Sequence, residues 1–183
     1  MGEYVGDRFH ESHIFVAVTR ERMKDVWELV QRMATLNFFT KAIVIAEHEW
    51  DRAIWRDQAV SHDPSAFIKK LVPGPIAHID WDLTYPIDRE TFTDRWLRNI
   101  GLGMAYQSST GPLSPDQRNN IPPEHFVIHD AVLALFESNC EIRHNHHVDD
   151  EGMWDPVTVA TFDTCFILRD SKLTGVFVFG EED

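Results

Sequence analysis

Cysteine is nearly missing from this chain: Cys140 and Cys165 are the only two in 183 residues. They form no CxxC pair and are too few for the framework of a small secreted scaffold, so reduced thiols in a cytosolic protein are expected. Each lies in or beside an expected strand, where a thiol usually packs and does not react. Basic side chains are also scarce. Seventeen Lys and Arg stand against 30 Asp and Glu, a formal net charge of −13. Such a charge repels phosphate backbones and anionic lipid, which disfavours broad nucleic-acid binding and favours a basic partner. Long apolar runs are absent as well. The longest, Phe126 to Phe136, is broken by His129 and Asp130 and falls short of the ~20 residues that a membrane span requires. The opening stretch, Met1 to His13, carries acids and no apolar core, so no secretory signal is expected. No GxSxG elbow, GxxxxGK[ST] loop or GxGxxG turn is found, which leaves nucleophilic and nucleotide-dependent catalysis without a motif.

What is present is the makeup of one folded domain spanning residues 1–183, with 43% hydrophobic and 26% charged residues. At this length a core can form without disulfides or a structural metal. His13 to Thr19 is β-branched and aromatic, as a strand would be. Arg20 to Leu36 then sets Met23, Val26, Trp27, Val30, Met33 and Ala34 at helical spacing, and Lys41 to Glu47 is a second strand. Strand, helix and strand joined by short turns predict a parallel βαβ unit, and with it an α/β or α+β fold built on a mixed sheet. Asp63-Pro64 predicts a short helix to about Leu71. Ala77 to Tyr85 alternates as a strand, with Trp81 on its apolar face. Asp88 predicts the cap of a helix whose buried stripe is Phe92, Trp96, Leu97 and Ile100, stopped at Gly101. Gln107 to Pro123, rich in Pro, Gly, Ser and Asn, reads as a long loop or flap. Glu124 to about Ser138 reads as a third helix, although its FVI and VLALF runs also suit a strand. Val157 to Leu168 and Leu173 to Phe179, separated by Asp170-Ser171-Lys172, predict a C-terminal antiparallel hairpin.

Ten histidines offer the main chemical signal. His144 and His146 are two apart, so on a strand both rings point one way, and Asp149, Asp150 and Glu151 follow. That set suits a borderline divalent cation such as Zn, Mn or Fe. His78, Asp80 and Asp82 would project from one strand face at steps of roughly 6.5–7 Å. His125 and His129 would share one helix face at i and i+4, beside Glu124 and Asp130, a spacing that suits two metal ligands. Each group also has a plainer reading: a solvated loop, a wetted sheet face, and a core-edge histidine pair.

The six tryptophans divide. Trp27, Trp81 and Trp96 fall on expected buried stripes. Trp50 and Trp55 instead stand among Glu47, Glu49, Asp51 and Asp57, and Trp154 stands near Asp149, Asp150, Glu151 and Asp155. Aromatic anchors ringed by charge suit a protein-binding surface, where the aromatics supply binding energy and the acids steer encounter. Two functional classes follow. The first is an acidic cytosolic interaction protein, such as an inhibitor, immunity factor or host-modulating factor, that binds a basic partner protein. The second is a small metal-dependent enzyme, a hydrolase, that uses the His/Asp groups.

Overall fold

A computed structural model describes residues 3–4, 13–36, 40–47, 84–102, 112–146 and 162–181. Its strands are β1 (Glu3–Tyr4), β2 (His13–Ala17), β3 (Thr40–Glu47), β4 (Tyr85–Pro86), β5 (Glu141–His144), β6 (Phe162–Arg169) and β7 (Leu173–Glu181). Its helices are α1 (Arg20–Leu36), α2 (Arg89–Trp96, running on into a wider π turn at Leu97–Gly101), α3 (Pro115–Asn119) and α4 (Pro123–Leu135). The strands form one sheet in the order β1-β2-β3-β7-β6-β5-β4.

That order corrects the expected fold class. The body of the sheet is five consecutive strands, β3-β7-β6-β5-β4, and every pairing among them is antiparallel. Among the described residues, parallel register is confined to β2 beside β3, toward one edge. The class is therefore α+β, organised by this antiparallel body and not by an N-terminal βαβ unit. The physical reason is the C-terminal hairpin. β6 and β7 are long, β-branched and aromatic, and β7 takes the inner side of β3 from Thr40↔Phe179 to Glu47↔Leu173.

Alternation along the strands gives the sheet two buried faces. Ile14, Val16, Ile43, Ile45, Phe166, Leu168, Phe177 and Phe179 pack in one cluster with Val26, Val30 and Met33 of α1, with Phe92, Trp96, Leu97 and Ile100 of α2, and with Ile128 and Val132 of α4. The residues between them, Val44, Ile167, Val176 and Val178, are buried too. Trp96 sits at the centre, with Phe92, Phe166, Phe177 and Phe179 all at ring-centroid distances of 5.3–5.7 Å. Trp27 is only partly buried, at the margin of this cluster, so its expected place in the core is met in part. Gly175 is required here: a Cβ would lie 2.6 Å from Phe136 Cζ.

The expected cap of α2 is present, with Asp88 accepting the Thr91 N–H at 2.7 Å. The expected loop at 107–123 is corrected within its described part. Ser114 and Gln117 form a reciprocal capping box, and with Pro at the first turn they start α3. The segment at 124–138 is helix, and it stops at Leu135. The helix expected at 63–71 and the strand residues 77–83, including Trp81, lie outside the described residues.

Candidate functional site

The second half of α2 departs from the amphipathic rule. Asp94, Arg95, Arg98 and Asn99 are all buried, where the helix meets the ends of β5 and β6. This polar layer is built around His144, which is only 1% exposed. Its ring lies between the His146 ring at 4.6 Å and the Phe166 ring at 4.5 Å. Arg95 Nη1 approaches His144 Nδ1 at 2.6 Å, and the His146 backbone N–H points to the same nitrogen at 3.4 Å. A guanidinium has donors only, so Nδ1 must carry the lone pair and Nε2 the proton. Nε2 then donates to Thr164 Oγ1 at 2.8 Å, and the Asn99 side-chain amide donates to the same oxygen at 3.0 Å.

The direction of these bonds decides what the group can do. His144 cannot serve as a base toward Thr164, because the nitrogen facing the hydroxyl is protonated and the other is held by Arg95. Burial, reinforced by the His146 ring and the Arg95 guanidinium, holds this imidazole well below its ordinary range, so it is neutral. Arg95 also donates to the His146 carbonyl at 3.1 Å. One guanidinium thus ties α2 to the end of β5.

Asn145 extends β5 with its side chain. Its Oδ1 accepts the Cys165 N–H at 2.8 Å, and its Nδ2 donates to Asp163 Oδ1 at 2.9 Å. His146 Nε2 donates to the Asp163 carbonyl at 3.2 Å. Cys165 is fully buried, and burial, with Asp163 adding to it, pushes its thiol well above the ordinary range. It is packing, as its strand position implied.

The sequence-derived metal groups can now be placed. His144 and His146 do share one side, as their spacing predicts, but a metal on His144 Nδ1 would have to displace the Arg95 guanidinium. His129, on α4, has Nδ1 2.9 Å from Asp130 Oδ1 and Nε2 3.1 Å from Thr93 Oγ1. The ring contacts run from His129 through Phe92 and Phe166 to His144, so aromatic rings and not ligands join these histidines. His125 lines a small apolar cavity with Met33, Ile100 and Phe179, and burial lowers its basicity. Among the described residues no group of three or more His, Cys, Asp or Glu is assembled for a metal ion. His78, Asp80, Asp82, Asp149, Asp150 and Glu151 lie outside them.

Of the expected partner-binding residues, Glu47 is described. It is 8% exposed, and its carboxylate accepts the Thr19 N–H at 2.7 Å and faces Arg22 at 3.5 Å. It holds the start of α1 against the end of β3, which corrects its place among surface steering charges. Trp50, Trp55, Trp154, Glu49 and Asp51 lie outside the described residues. Sequence reasoning missed Arg95, Asn99 and Thr164. A signal was there: Arg95 and Asn99 stand three and seven residues after Phe92, at positions where the apolar period calls for core side chains.

On the outer side of the helical layer, α1 and α4 border an open cleft of about 320 Å³ lined by Asp25, Glu28, Leu29, Arg32, Val127, Ile128 and Ala131. Val127 is 50% exposed. Comparison with protein-family models, with curated proteins and with solved structures finds no match. Among the described residues no helix is long and apolar enough to cross a membrane.

Proposed function

We propose that this is an acidic cytosolic protein that acts by binding a basic partner protein, as an inhibitor, immunity factor or host-modulating factor does, and not by turning over a substrate. The carrying observation is the open cleft between α1 and α4, which keeps Val127 half exposed in a chain of net charge −13. Apolar surface within a charged rim is the usual composition of a protein-binding patch. The bonding of His144 supports the same choice, because a neutral imidazole held between Arg95 and Thr164 is a fold-holding group. Trp50, Trp55 and Trp154, set among acids in the sequence, supply further anchors for the same partner.

The reading makes a claim about salt. Steering between opposite charges acts across solvent, where the Debye length shortens from about 30 Å at 0.01 M to about 8 Å at 0.15 M. With a partner captured and purified, the association rate constant should fall about tenfold or more between those salts, while dissociation changes less. Replacing Glu49, Asp51, Asp149, Asp150 and Glu151 with their amides should lower the rate and flatten its salt dependence. An association rate that ignores both salt and these substitutions overturns the proposal.

A further inference from the structure

We infer that the α1–α4 cleft seats an amphipathic helix of the basic partner, with its apolar face on α4 and its Lys and Arg residues over the flanking carboxylates. The inference rests on the interaction reading above and names the surface and the kind of segment it takes. α4 is apolar on both of its faces. Ile128 and Val132 point into the core, while Val127, Ala131 and Ala134, spaced i, i+4 and i+7, form a second stripe whose first and last members are exposed. A surface helix normally has one apolar stripe, and a second one turned outward is what a helix-in-groove partner covers. Leu29 of α1 forms the opposite wall. The stripe spans about 10 Å at 1.5 Å per residue, two turns of an opposing helix.

Charge selects the occupant. Glu124 and Asp130 bracket the stripe on the two sides of α4, and both are exposed. Asp25 and Glu28 line the α1 wall, against one lining cation, Arg32. Lys24 lies 3.8 Å from Glu28, both well exposed, so this contact neutralises the wall only weakly. Four carboxylates around an apolar strip favour Lys and Arg flanking Leu or Val at helical spacing. They disfavour a second copy of this chain, which brings the same acids and the same net charge.

The test uses the full chain and two labelled 18-residue peptides of one Leu/Ala/Lys composition. One places leucines at i, i+3, i+4 and i+7, and the other is scrambled to remove that face. In anisotropy titrations at low salt, the amphipathic peptide should bind at least tenfold more tightly than the scrambled one. Val127→Asn should remove that preference, and Asp25→Asn with Asp130→Asn should weaken both peptides. Hydrogen exchange on the unmutated chain gives a second readout, with amides of residues 124–135 slowed only by the amphipathic peptide. Equal binding of both peptides, or a preference that survives Val127→Asn, overturns the cleft assignment while leaving the acidic interaction reading standing. If neither peptide binds, the cleft assignment is overturned as well, while the interaction reading stands or falls separately on the salt dependence of partner association. A dimer in sedimentation that Val127→Asn dissolves reassigns the cleft to a second copy and overturns the basic-helix occupant.

Discussion

Arg95 brings a guanidinium beneath the sheet, and His144 is the side chain that receives it, 2.6 Å away. Removing either alone leaves the other short of a partner in a place water does not reach, which typically costs about 1–3 kcal/mol. Arg95→Met strips the stronger of two donors from Nδ1. His144→Phe keeps the ring stack between His146 and Phe166 but takes away one acceptor of Arg95, which keeps the His146 carbonyl, and one of the two donors to Thr164. Because each substitution destroys the same contact, the double variant should cost less than the sum of the singles by about 1 kcal/mol, a coupling expected for groups in direct contact. Urea unfolding of the four proteins measures it. Strict additivity would show that the bond holds nothing together and that the buried polar layer is stabilised elsewhere.

At the level of elements, α2 was the most legible part of the chain, because its start signal and its apolar period agree. Asp88 accepts the Thr91 N–H at 2.7 Å, and the bonds to Thr91 pull its carboxyl below the ordinary value. Asp88→Ala should cost about 1 kcal/mol, read as a lower urea midpoint at pH 7 that narrows as acid protonates Asp88 in the parent. The strands of the hairpin and α1 were legible for the same local reason. What the sequence could not supply was partner choice. The period of Lys41 to Glu47 marks a strand, yet nothing in it says that β7, more than 120 positions later, takes its inner edge. That pairing makes the frame, expected as α/β or α+β around a βαβ unit, an α+β one around an antiparallel body. α3 was missed although Ser114-Pro115-Asp116-Gln117 spells a capping box, because the surrounding prolines and glycines suggested a loop. The histidines fared likewise. Spacing put the rings of His144 and His146 on one side, but only the fold brings Arg95, from 49 positions away, to the nitrogen a metal would need.

For the whole molecule, three buried histidines on two elements bear on acid stability together. Burial lowers the basicity of His125, His129 and His144. For His129, Asp130 pulls the other way, while Arg118 and Arg89 add to the lowering. A histidine in the unfolded chain binds its proton near pH 6.5. Below that pH the unfolded state holds more protons than the folded one, so stability rises with pH and is lost as pH falls through the folded values. Each imidazole that titrates only on unfolding contributes up to about 1.4 kcal/mol per pH unit, a large share of a stability of about 5–15 kcal/mol when several act at once. Between pH 7.5 and 5.5 ordinary carboxylates stay largely ionised in the folded and the unfolded chain alike, so the buried histidines dominate the change in stability. Urea unfolding across that window should show stability falling steadily toward pH 5.5. In His129→Gln, which keeps a polar side chain beside Thr93, the slope should be shallower by up to one proton. A parent profile that is flat across the window would mean that these imidazoles accept protons in the fold as readily as in the open chain, and the neutral, donor-bound His144 would have to be given up.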